Sequence, residues 1–184
     1  MRRNAKLFAI ALTAGLIVSA TTASAEHQFV GAESCKICHK AKTGDQWQKW
    51  LDGPHSKAFE TLKNEESAKI VADKGLSGNA WELDECLKCH VTGHGAPESA
   101  FDAKAVKRGK YAAEQGVGCE SCHGPGADYK KKKTMEDHEA AVAAGLSDIT
   151  AETCTACHNE ESPTFKAFDF EAQKAEIAHP IPGK

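Results

Sequence analysis

A sustained apolar run at residues 7–18 follows the basic residues Arg2, Arg3 and Lys6 and precedes Ala23-Ser24-Ala25. Basic, then apolar, then small is the order of a secretory signal peptide, here spanning residues 1–25. About 20 apolar residues are needed to cross a bilayer, so the run is too short for a membrane anchor. No cysteine adjoins the cleavage site, so no lipid anchor is expected either. The twin arginine lacks the rest of a Tat pattern, and export through Sec is expected. Beyond residue 25 the apolar positions come in short groups. Residues 56–63 and Glu65–Asp73 carry helical spacing, with Gly75 as the stop. Thr134-x-x-Asp137 has the form of a capping box, opening a helix that ends at Gly145. Segments 91–100 and 159–167 are rich in Gly, Pro, Ser and Thr and read as loops. No stretch alternates with a period of two. The expectation is a mainly α, loop-rich single domain over residues 26–184, with few or no strands.

The cysteines change this picture. All eight fall into four copies of Cys-x-x-Cys-His: Cys35/Cys38/His39, Cys86/Cys89/His90, Cys119/Cys122/His123 and Cys154/Cys157/His158. This is the attachment pattern of c-type haem. Two thiols form thioethers to the vinyl groups, and the histidine becomes an axial iron ligand. Residues three and four apart share a helix face, so one helical turn presents the second Cys and the His to the same macrocycle. Each motif is therefore expected to open or lie in a short helix, with Asp84 capping the second and Thr150 the fourth. Gly124-Pro125-Gly126 ends the third. A thioredoxin-like pair, half a zinc site or a disulfide would need no histidine after the second Cys. Histidine is 9 of 184 residues, so four such coincidences arise by chance at roughly one in 100,000. Four haem c groups in about 159 mature residues must supply much of the core. An apo-protein without them is expected to be unfolded.

Sixth ligands can be counted. The mature chain has a single methionine, Met135, and five histidines outside the motifs: His27, His55, His94, His138 and His179. Four irons and five histidines favour bis-histidine ligation and hence low potential. His55 follows Trp50 and Pro54; His179 precedes Pro180, which restricts the local backbone. His94 lies between two glycines. His27, second in the mature chain, is an arm able to ligate a neighbouring molecule. The formal charge is −3, and removing Arg2, Arg3 and Lys6 leaves 20 basic against 26 acidic residues, or −6. Haem propionates add to this, which argues against nucleic-acid binding. Against that background Lys130-Lys131-Lys132-Lys133 is a local cationic run, suited to a solvated face, to propionates or to an acidic redox partner. Trp47, Trp50 and Trp81 are expected against haem faces or core.

The run Gly116-Val117-Gly118-Cys119-Glu120-Ser121-Cys122-His123-Gly124-Pro125-Gly126 resembles the third haem site of the cytochrome c-554 family. Trp47 and His55 after Cys35-Lys36-Ile37-Cys38-His39-Lys40, and Cys86-Leu87-Lys88-Cys89-His90-Val91-Thr92-Gly93, extend the resemblance to residues 31–179. It implies a mostly helical tetrahaem protein with haems in stacked pairs. It also implies His138 as distal ligand to the first haem, His55 to the third and His179 to the fourth. The family's type member has no distal ligand at the second haem and an aromatic residue where this chain has His94. His94, or His27 in trans, would close that site here. The chain is also similar to tetrahaem cytochromes that form extracellular filaments in metal-reducing bacteria. That likeness implies a head-to-tail homopolymer, a continuous haem chain and a histidine donated between subunits.

These readings lead to electron transfer rather than substrate chemistry, with redox proteins or extracellular acceptors as partners. The location is periplasmic or extracellular. A subunit of an extracellular conductive filament is the expected form of that function, with a soluble periplasmic shuttle as an alternative. An enzyme acting on a small nitrogen compound at an open haem is the alternative. No phosphate-binding loop, Ser/His/Asp set or paired carboxylates accompany the motifs, and no catalytic residue is assigned.

Overall fold

Helices of four to nine residues, joined by turns, account for the regular structure. Isolated helices this short are marginal in water, so their contacts with one another and with the connecting chain hold them. The computed structural model describes residues 27–179. The expected signal peptide, Glu26 and Pro180 lie outside these residues. Among them there is no sheet, only an isolated bridge between Phe29 and Phe101. Its rungs are Phe29 N–H to Ala100 O at 2.8 Å and Asp102 N–H to Phe29 O at 2.9 Å. No described helix is long and apolar enough to cross a membrane.

Helix Glu65–Asp73 has the expected bounds. Asn64 caps it by accepting from Ser67 N–H at 2.8 Å. The 56–63 segment is a 3-10 turn, His55–Lys57, running into helix Ala58–Thr61. Three expectations shift. Thr134 opens no helix; it belongs to Lys132–Met135, and the next helix, His138–Ala143, is capped by Asp137, which accepts from Ala140 N–H at 3.0 Å. Asp84 is the first residue of helix Asp84–His90 rather than its cap. Its carboxylate faces His94 instead. In 91–100 a 3-10 turn, Glu98–Ala100, interrupts the loop.

The protein core is thin. Of the buried apolar residues, Ala32, Ala80, Ala100, Ala105 and Ala141 are alanines, and among the described residues Val30 is the only large side chain buried completely. A chain of this length ordinarily buries a larger core. The one apolar cluster joins Leu62, Val71 and Ala80 to Leu76, Trp81, Leu83, Cys86 and Leu87. It seats helix Glu65–Asp73 against the second motif. Trp81 thus packs in this core. Trp47 and Trp50 pack on each other, ring centroids 4.9 Å apart.

Candidate functional site

Each motif forms a single helical turn. The second and third lie within helices Asp84–His90 and Cys119–His123. In the first and fourth the helix proper ends at Cys35 and Thr155, and a turn carries the rest. His39 N–H still donates to Cys35 O at 3.0 Å and His158 N–H to Cys154 O at 2.9 Å. The motif histidine therefore lies one turn beyond the first Cys in every copy. Thr150 caps the fourth as expected, its N–H donating to Thr153 Oγ1 at 3.2 Å. Gly124 ends the third.

The motifs meet through space in an order unlike their order in the chain. The side chains of Cys35 and Cys119 share a hydrogen bond, which together with burial pushes the Cys35 thiol up. Cys122 and Cys154 are close enough that charge on one raises the other. Cys157 is pushed up to about 12 by burial and by its hydrogen bond with Cys89. The sequence of neighbours is first, third, fourth, second. Lys88 of the second motif reaches Glu161, just past the fourth, at 2.6 Å. All eight thiols are free of disulfides. Among the described residues no three His, Cys, Asp or Glu side chains gather as a metal-binding group.

Two polar nodes fix this arrangement, and neither was visible in the sequence. Glu120 lies inside the third motif yet is almost fully buried. Its Oε1 accepts from Val30 N–H at 2.9 Å and Gly126 N–H at 2.7 Å, and its Oε2 from Gly31 N–H at 2.8 Å. One carboxylate thus ties the chain entering the first motif to both ends of the third. Burial pushes its carboxyl above the ordinary range, opposed by these donors and by Lys130. Thr92, just past the second motif, is the other node. Its Oγ1 accepts from Gly118 N–H at 2.7 Å and bonds Ser121 Oγ at 2.8 Å, and its carbonyl accepts from Tyr111 OH at 2.6 Å. Buried polar groups in such numbers specify one arrangement only when all are satisfied.

The histidines divide into two groups. His55 and His179 lie against motif histidines. The His55 and His158 ring centroids are 6.0 Å apart, and those of His123 and His179 are 5.9 Å apart. Metal–imidazole bonds of about 2 Å on each side of an iron place two ring centroids roughly 6 Å apart. The residues present therefore fit a haem iron held from both faces. The His55 ring lies nearest the histidine of the fourth motif and the His179 ring nearest that of the third; the resemblance implied His55 for the third haem and His179 for the fourth. Burial lowers the affinity of both His55 and His123 for a proton; next to His179 and His39, His123 falls to about 4. The neutral imidazole is the form that ligates. Chain segments around the site hold these rings. Val117 N–H donates to His55 O at 3.0 Å, and Trp50 Nε1–H donates to Val117 O at 2.9 Å. A Cβ on Gly116 (φ 68°) would lie 2.8 Å from His55 O. His90 Nδ1 bonds Ala58 O at 2.6 Å. A carbonyl only accepts, so Nδ1 carries the proton and Nε2 is left for iron.

The other three histidines each face an aspartate. His27 Nδ1 is 2.9 Å from Asp128, His94 Nε2 2.9 Å from Asp84, and His138 Nε2 3.3 Å from Asp148. His138, expected opposite the first motif, is 67% exposed. His27, expected as a ligand to a neighbouring molecule, lies against Gly145 of its own chain.

Known proteins are similar to this chain. Residues 34–124 match the family described as cytochrome c554 and c-prime, and residues 106–180 match that described as cytochrome c552. Cytochrome c-554 of Nitrosomonas europaea is 31% identical over 170 residues, an alignment covering 82% of this chain and 66% of that protein. The solved structure of cytochrome c554 from the same organism, in its reduced state, superposes with a TM-score of 0.50 at 27% identity. It covers 82% of this chain and 78% of the other. These matches lead to one conclusion: the chain belongs to the cytochrome c554 family of haem c proteins.

Proposed function

We propose that this protein is an exported electron-transfer cytochrome with four haem c groups, mostly bis-histidine ligated and of low potential. The observation that carries the proposal is the spatial line of motifs: first, third, fourth, second. Haem c, when bound, supplies a reversible ferric–ferrous couple. The protein's part is to hold four such centres as neighbours, orient their ligands and exclude water. Cysteines of adjacent motifs, hydrogen-bonded between the first and third and between the fourth and second and near one another between the third and fourth, set consecutive attachment points side by side, so electrons entering at one end of the line have a next centre at each step. His158 with His55, and His123 with His179, are the two pairs that close an iron from both faces. The irons carried by His39 and His90 draw their sixth ligands from His138, His94 and His27. The histidine supply favours filled coordination and electron transfer over an enzyme with an open iron. A filament subunit is the form this reading takes, with a soluble periplasmic shuttle as the alternative.

His55→Ala and His179→Ala are each expected to open one haem of the four. In the reduced protein each variant gains a carbon monoxide difference spectrum equal to one haem, which the parent lacks. Adding His55→Ala to a Cys154→Ala/Cys157→Ala background is expected to add nothing further, because its partner site is gone. A parent protein that already binds carbon monoxide at several haems would contradict the electron-transfer reading.

A further inference from the structure

We infer that the cationic run of Lys130, Lys131 and Lys133 is the port at which an acidic redox protein docks, delivering or withdrawing electrons at the first-motif end of the line. The inference rests on the electron-transfer reading. The chain is acidic overall, with 26 Asp and Glu against 23 Lys and Arg. Its lysines elsewhere are partly neutralised: Lys63 pairs with Glu60, Lys69 with Asp73 and Lys88 with Glu161. Within the four-lysine run only Lys132 has an ion pair among the described residues, with Glu136 at 3.5 Å. All four are exposed.

The run is held in place. Lys130 N–H donates to Gly126 O at 3.0 Å, and Gly126 N–H is itself bound by Glu120. Tyr129, buried beside it, donates its OH to Gly124 O at 2.6 Å. Met135 N–H donates to Lys131 O at 2.9 Å. The lysines therefore leave a rigid node instead of a free loop. Glu120 also accepts from Val30 N–H and Gly31 N–H, which locates the start of the run beside the chain entering the first motif. Just past that motif in the chain, Lys40 and Lys42 are exposed as well. Between its two cysteines Ile37 is 71% exposed, the most exposed large apolar side chain described. A small apolar centre within a polar rim is the make-up of a transient protein interface. A cationic patch on an anionic body also orients an acidic partner before contact.

The test uses the haem-loaded protein in stopped flow, with hexacyanoferrate(III) as an anionic oxidant and a hexaammine ruthenium(III) ion as a cationic one, from low to high salt. Lys131→Glu/Lys133→Glu leaves the Lys130 charge and the Lys132 pair intact. At low salt it is expected to slow oxidation by the anion about tenfold, to leave or raise the rate with the cation, and to converge with the parent at high salt. Poly-L-glutamate should inhibit the parent and not the variant. Lys74→Glu/Lys166→Glu, with the same charge change elsewhere, should behave as the parent does. Equal rates and salt slopes in parent and Lys131→Glu/Lys133→Glu protein would overturn the inference. So would a shifted reduction potential with an unchanged salt slope, which would mean that the lysines serve the haem propionates. A protein without c-type absorption, or one that neither oxidant reoxidises, would instead remove the electron-transfer reading beneath it.

Discussion

Gly31→Ala is expected to abolish accumulation of the folded haem protein. Gly31 has φ 78° and ψ 148°, a combination open to glycine alone. A Cβ there would fall 1.9 Å from Lys110 O and 2.5 Å from Tyr111 Cα. Those atoms cannot retreat freely. Lys110 N–H is bonded to Ala105 O at 2.9 Å, Lys110 O accepts from Gln115 Nε2 at 2.9 Å, and the Tyr111 ring is tied to Thr92 O. Gly31 also begins the helix that delivers Cys35 and gives its N–H to Glu120. Backbone strain and overpacking together cost at least about 3 kcal/mol, a large share of a total stability of about 5–15 kcal/mol. Gly75→Ala is the control. Gly75 also has positive φ, 67°, but nothing lies within 4 Å of the added Cβ. It should cost only about 1 kcal/mol. Yield of haem-loaded protein and thermal midpoint, compared across both variants, check the prediction. Similar behaviour of the two would show that crowding at Gly31 is not what matters.

Glu120→Ala is expected to have the next largest effect. It leaves three buried N–H donors, on Val30, Gly31 and Gly126, without their acceptor. Each such loss costs about 1–3 kcal/mol where water cannot replace it. Glu120→Gln separates charge from hydrogen bonding. Its amide oxygen can keep two donors, but its NH2 then faces the third, and a loss of about 2 kcal/mol is expected. Because the carboxylate joins the first and third motifs, both variants should also disturb the contact between Cys35 and Cys119. Denaturant unfolding of the haem-loaded proteins, with a haem count per chain, measures both effects. Full stability in Glu120→Gln would mean that the Gly31 N–H finds another acceptor.

The parts of the fold that could be read in advance are those set by local chemistry. Four motif turns, helix Glu65–Asp73 and the stop at Gly124 depend on residues within one or two turns of one another. The capping error at Thr134 has a local cause too: Thr134 and Asp137 are both good caps, and the structure uses the second. What stayed hidden depends on distant contacts. A glutamate between two cysteines looks like a solvated residue until Val30 and Gly126 close over it. Thr92 looks like a loop residue until Gly118 and Tyr111 arrive. Asp84, a plausible cap, is drawn off by His94. The number of histidines outside the motifs could be counted from composition, but the rings they lie beside could not, because His55 reaches across 103 residues to His158 and His179 across 56 to His123.

The most direct measurement is the intact mass of the exported protein, taken under denaturing conditions that strip any non-covalent group. The account predicts one species starting at Glu26 that carries the added mass of four haems, with ferrous c-type absorption to match. A polypeptide of unmodified mass, or one with fewer than four attached groups, would contradict it.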